Sequence, residues 1–150
     1  MSVPPSVTKI KKDGVEFVSS VDRCSYTMKE LCRAALRDVG KYVCKRFRQS
    51  YYSHFKRKKG TVGRFTQYWV QHKYEKYPSL QVGVKPNAFY GGFQEFGSSK
   101  QAKLGLLTSA VNDNIDEIIS IESQYLSALE DEAEALAMIS DEDYEGNGDE

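Results

Sequence analysis

The residues able to do chemistry are few and scattered. His54 and His72 are the two histidines. Neither belongs to a His-Glu-x-x-His pair or another ligand-spaced motif, and neither stands beside a candidate nucleophile. A surface or strand position accounts for each. Cys24, Cys32 and Cys44 fit no common zinc spacing, and an odd set cannot fully pair within one chain. Cys32 falls on the apolar stripe of a predicted helix, so the three read as small buried or half-buried thiols. Gly60-Thr61-Val62-Gly63-Arg64 is glycine-rich and basic but lacks the Gly-Lys-Ser/Thr ending of a phosphate loop. Glu95 is the one acid among aromatics and glycines. A lone carboxylate has no second acid, base or metal ligand with which to do general acid–base work. Its ordinary use is pairing with a cation or with backbone N–H groups at a turn. No catalytic, cofactor-binding or metal-ligating residue is assigned, no cofactor is expected, and the pattern points to binding rather than to an enzyme.

Charge is the informative quantity. The net charge is zero, yet all 21 Lys and Arg lie at or before Lys103. Seven acids share that segment (Asp13, Glu16, Asp22, Glu30, Asp38, Glu75 and Glu95), for a formal balance of +14. Residues 104–150 hold the other 14 acids and no base. A solvated basic face with an acidic tail needs no partner. The sharper reading is that basic surface meets acidic surface between copies or neighbours, setting register. Basic residues interleaved with Phe47, Tyr51, Tyr52, Phe55, Phe65, Tyr68 and Trp69 also resemble a nucleic-acid surface by composition. No helix-turn-helix, RNA-recognition, KH or zinc-finger signature accompanies them.

The elements that must position these residues are legible in outline. At 150 residues, with 40% hydrophobic, the chain suits one domain, expected over residues 1–139. A hairpin is expected at about residues 7–21, turned at Asp13-Gly14, a pair that suits a tight turn between β-prone arms. Tyr26 to about Tyr52 reads as a long amphipathic helix opened by a Thr27–Glu30 capping box. Its apolar stripe is Met28, Leu31, Cys32, Ala35, Leu36, Val39, Val43 and Phe47. Lys29, Arg33, Arg37, Lys41, Lys45 and Arg48 form a basic ridge of roughly five turns. Lys56, Arg57, Lys58 and Lys59 follow in a mobile, Gly-punctuated loop extending to Arg64. Strands are expected over Phe65–Tyr74, Leu80–Lys85 and Ala88–Phe96, the last interrupted at Gly91-Gly92. Leu104 to about Ile139 reads as a second helical region. The acidic, apolar-poor segment 140–150 is expected to be flexible. The fold class is α+β: a long N-terminal helix and a C-terminal helix packed on a small antiparallel sheet. Met1–Lys12 lacks the apolar stretch of a secretory signal, and no apolar run nears the roughly 20 residues of a membrane span, so a cytoplasmic site of synthesis and no membrane partner are expected.

The segment Phe89–Lys100 adds a resemblance. Tyr90, Phe93, Glu95, Phe96, Gly97, Ser98 and Lys100 resemble the signature of the tailed-bacteriophage head–tail joining, neck or tail-completion proteins. Leu106, Leu107, Ala110, Val111 and residues 112–119 resemble that family's closing helix. The order of helix, loop, sheet and helix is similar over about two-thirds of the chain. Departures are the Gly60–Gly63 stretch where the family carries a Pro-x-Asp-Thr-Gly-like loop, and Leu104-Gly105-Leu106 in place of a Pro-Phe pair. The resemblance implies a virion protein at the head–tail junction, present in the host cytoplasm during assembly. Its implied partners are copies of itself in a ring, head-closure or connector proteins, and tail terminator or tail tube proteins, with phage DNA in the channel as a further contact. A tail terminator and a small basic-faced nucleic-acid-binding protein are the alternatives. The ridge and the loop at Lys56–Lys59 are the interface candidates, facing a neighbour's acidic C-terminal region.

Overall fold

The structure, a computed structural model, describes residues 3–56, 61–71 and 77–145 and is mixed α+β. Strands β1 (Thr8–Lys12) and β2 (Val15–Ser19) form the expected hairpin. Asp13 and Gly14 turn it at φ of 52° and 78°, the two positive values that match the right-handed twist of a two-residue hairpin. Thr8 pairs with Ser19, Ile10 with Phe17, and Lys12 with Val15.

Helix α1 spans Val21–Phe55, five residues earlier than expected. The Thr27–Glu30 capping box is not used as a cap. Thr27 is buried and donates its hydroxyl to the Arg23 carbonyl one turn back (3.0 Å), while Glu30 accepts from Arg33 (2.7 Å). No Gly or Pro interrupts Val21–Tyr26, each added residue brings a backbone bond, and Asp22 suits the positive helix start.

Leu31, Ala35, Val39, Val43, Phe47 and Tyr51 are buried at strict four-residue steps. Each such step overshoots one turn by about 40°, so the stripe winds about 200° around the helix. One flat layer cannot cover a stripe that turns so far, and two clusters do. Leu31, Ala34 and Ala35 pack with Tyr125, Ala128, Ala135 and Ile139. Val39, Val43, Phe47 and Tyr51 pack with Val62, Ala88 and Ala110. Over the first half, Thr27 and Ala34 turn inward, and Met28, Cys24 and Cys32 are exposed. Only Cys44 is a buried thiol, correcting that reading for the other two.

The second half of α1 carries a separate sheet of β3 (Thr66–Gln71) and β4 (Ser79–Val84), antiparallel, with Tyr68 opposite Val82 and Val70 opposite Leu80. Leu80, Val82 and Val84 face the core, while Trp69 on the other face is exposed. Gly40 lets the layers meet, since a Cβ there would lie 2.7 Å from the Tyr68 ring.

After β4 the expected third strand is absent. Pro86–Ala88 is a 3-10 turn and Gly91–Phe96 is a helix, α3. A short run of Phe89, Phe93 and Phe96 fits helical spacing as well as a strand, and the helical alternative is the one adopted. The region from Leu104 is three helices: α4 (Leu106–Asn112), α5 (Ile115–Ser127) and α6 (Glu132–Glu145). Asn114 breaks the first pair, donating to the Ala110 carbonyl (3.0 Å) and accepting from the Tyr42 hydroxyl (3.1 Å). Asp131 accepts from the Ala133 and Glu134 N–H groups and starts α6, as a good N-cap residue does. Helices α5 and α6 pack against the first half of α1. The α6 backbone passes Ile139, where the domain was expected to end, and reaches Glu145; residues 146–150 lie outside the described residues. Before β3, Thr61–Arg64 is one helical turn, here α2, rather than loop. His72, Tyr74 and Arg57–Gly60 lie outside the described residues.

Candidate interface

The resemblance motif forms a corner between α3 and α4. Helix α3 ends at Gly97, whose φ is +83°, and a Cβ there would come within 3.0 Å of the Lys103 backbone nitrogen. Only glycine combines that dihedral with that space. The chain then reverses through Ser98–Gln101, where Ser98 N–H donates to the Gln101 carbonyl (2.8 Å). It returns along α3: Leu104 N–H donates to Gln94 O (2.9 Å) and Gly105 N–H to Glu95 O (3.2 Å).

Glu95 closes the corner. Its carboxylate accepts from the N–H of Leu107 (2.9 Å), the N–H of Thr108 (2.8 Å) and the Thr108 hydroxyl (2.7 Å). These are open donors of the first turn of α4, which an oxygen from elsewhere in the chain can satisfy. Partial burial pushes the Glu95 carboxyl up, but the Thr108 hydroxyl, the two backbone donors and the nearby Lys103 charge together hold it below the usual carboxylate range. Its chemistry is that of a cap, the ordinary use expected of it, although on a helix rather than a strand.

With the Glu95 carboxylate turned inward, the corner leaves rings outside. Phe89, Phe93 and Phe96 are 53–78% exposed. Their spacing of four and three places them on one side of a helical segment; Phe89 was outside the motif set, and this spacing was the signal for it. Tyr90, Phe93, Ser98 and Lys100 of the motif line an open groove with Gln94 and Gln101. Behind it, Phe96 borders an apolar cleft of about 220 Å³ over Phe47, Tyr51, Val62 and Val84. The motif is thus brought together as a surface of exposed rings beside a polar rim of Ser98, Lys100 and Gln101, with Lys103 close by.

The basic ridge is drawn partly into the fold. Arg33 pairs with Glu30 (2.7 Å) and Lys41 with Asp38 (3.7 Å). Arg48 clamps the α2–β3 connection, donating to the carbonyls of Gly63 (3.0 Å) and Thr66 (2.8 Å). Arg37 is half-buried, whereas Lys29, Lys45 and Lys56 are exposed. Arg57, Lys58 and Lys59 lie outside the described residues. Part of the charge asymmetry is also satisfied internally, since Arg23 pairs with Glu132 (2.7 Å) while holding the Pro4 carbonyl (2.7 Å). Among the aromatics interleaved with these bases, Phe47 and Tyr51 are core, Tyr52, Phe55, Phe65 and Tyr68 are half-buried, and Trp69 alone is well exposed. A stacking platform needs several exposed rings beside the cations.

No family model matches the chain, and comparison with curated proteins and with solved structures gave no match. Among the described residues, no group of His, Cys, Asp and Glu could hold a metal ion, and no helix is long and apolar enough to cross a membrane.

Proposed function

We propose that this chain is a structural subunit of a tailed-bacteriophage head–tail junction, a neck or tail-completion protein that works by binding. The carrying observation is the α3–α4 corner. The residues that resemble the neck-protein signature build one surface, in which Glu95 and Gly97 fix the backbone and Phe89, Phe93 and Phe96 stand outside it. A preformed backbone presenting aromatic side chains suits docking, because large rings bury much area at low entropic cost. In this reading the corner seats a head-connector or tail protein, and copies of the chain form a ring.

Electron microscopy of virus particles from the same genome, with this chain labelled at its C-terminus, tests the proposal. Label at the head–tail junction is the expected result. Label only on the ends of free tails would replace it with a tail terminator. Label absent from particles would overturn it and favour nucleic-acid binding, which salt-dependent retention on duplex DNA would then reveal.

A further inference from the structure

Two glycines stand where the fold itself does not require them. Gly92 lies inside α3 and Gly83 inside β4. Neither takes a positive φ, and a Cβ at either position would meet nothing within 4 Å. Glycine in the interior of a helix or strand is destabilising relative to alanine, and in a strand it often marks a place where a ligand approaches closely. Both glycines line one place, the cleft of about 220 Å³ over Phe47, Tyr51 and Val62. Side chains at these positions would grow into it, so the two glycines keep it open.

The cleft also borders an unmet polar atom. The Gln94 side-chain oxygen is buried with no hydrogen-bond partner, and Gln94 is part of the lining. An acceptor in that state favours a ligand that brings a donor. The last torsion of a glutamine is broad, so the amide can turn to meet one at little cost. Much of the remaining wall is apolar, with Val82, Val84, Leu106 and Leu107. A dry cavity of about 150 Å³ holds one benzene ring, so a cleft of about 220 Å³ suits two fused rings. The fitting group is a flat apolar double ring with an N–H and no acceptor, which among side chains is the indole of tryptophan.

The chain has one tryptophan. Trp69 is 65% exposed on the outer face of β3. Alternation and register put Gln67, Gln71 and Gln81 on the same face. One large aromatic side chain among uncharged polar ones has the anatomy of an interface anchor with its rim. We infer that Trp69 of one copy inserts into the cleft of a second copy, its indole N–H donating to the Gln94 side-chain oxygen. Knob and cleft are different patches of one chain, so the contact is heterologous and closes into a ring where the rotation between copies allows. It rests on the ring reading of the proposed function and deepens it by naming where copies meet.

Sedimentation velocity and tryptophan fluorescence on the full chain over a concentration series test it. As the sole tryptophan, Trp69 reports its own burial. The wild type is expected to self-associate, with Trp69 emission moving to shorter wavelength and escaping acrylamide quenching as it does. Trp69→Ala and Gly92→Leu are each expected to weaken association about 30-fold or more, the effect of losing a buried anchor or its seat. Leucine suits a helix, so Gly92→Leu is expected to unfold no earlier than the wild type; Gly83→Val blocks the cleft from the strand should Gly92→Leu misfold. Gln94→Leu, which leaves the indole N–H unpaired, is expected to weaken association about tenfold. Trp69→Ala keeps an open cleft and Gly92→Leu keeps the tryptophan. Mixing the two monomeric variants is therefore expected to give a 1:1 dimer that grows no further.

A wild type that stays monomeric at every concentration would overturn the inference. So would association that leaves Trp69 emission unchanged, association that survives Gly92→Leu or Gln94→Leu undiminished, or a mixture that forms no dimer. Label at the head–tail junction together with a monomeric wild type would sink this contact and leave the neck reading standing. Trp69-dependent association of a chain whose label is absent from particles would keep the contact and remove the neck reading.

Discussion

The α3–α4 corner and the N-terminal hairpin both expose large apolar side chains, but they are held in different ways. The corner is locked from inside. Glu95 caps α4, Gly97 makes the reversal, and Ala88 and Gly91 anchor its base in the core. The hairpin has its own ladder and turn, with every residue of both strands exposed except Thr8 and Ser19, which are half-buried. Exposed apolar surface on a rigid support is ready for a partner, whereas on a marginal support it depends on one.

The contrast can be broken from the corner side first. Gly97→Val forces a branched side chain into positive φ and against the Lys103 backbone. It is expected to cost about 2 kcal/mol or more in denaturant unfolding. A loss under half of that would mean the corner is soft. Glu95→Ala comes next, removing the cap from Leu107 and Thr108, with an expected cost of about 1 kcal/mol. Because the folded carboxyl titrates below its ordinary value of 4.5, its contribution is fully present above that value and fades as pH falls through the folded one. Wild type and Glu95→Gln should therefore converge in stability in acid and separate toward neutral pH. Parallel curves would remove the ionised cap from the account.

The smallest effect belongs to the hairpin. In the monomer, Phe17→Ser is expected to change stability by under about 0.5 kcal/mol, because its ring is 61% exposed. Hydrogen exchange sharpens the contrast. Amides of β1 and β2 should exchange much faster than those of Leu107 and Thr108 in dilute protein. Slow hairpin amides in the monomer would mean that the two regions are equally supported.

Much of the scaffold was legible in residue order. Asp13-Gly14 specified a hairpin because few residue pairs accept that turn. The recurrence of apolar residues three and four apart in α1 specified one long helix, and the alternation of Leu80, Val82 and Val84 specified a strand. The motif is legible in the sequence, but its helical state is not. Phe89 to Phe96 is too short for periodicity to separate strand from helix. The basic ridge was visible as a row of charges, yet Arg48's carbonyl partners lie across a chain reversal that no local pattern announces.

The sequence by itself determined the α+β class, the long helix, the hairpin turn, the motif and the division of charge. These follow from local backbone preference and from periodicity, which act over a few residues. Only the tertiary structure decided that the Thr27–Glu30 pair does not start a helix and that Glu95 caps a helix twelve residues ahead. It also decided that the stripe of α1 divides between helices and a sheet, and which apolar side chains stay uncovered. Those outcomes depend on which surfaces compete for the same face of α1. Helical winding turns that face through half a circle before its end, so no single layer could claim it.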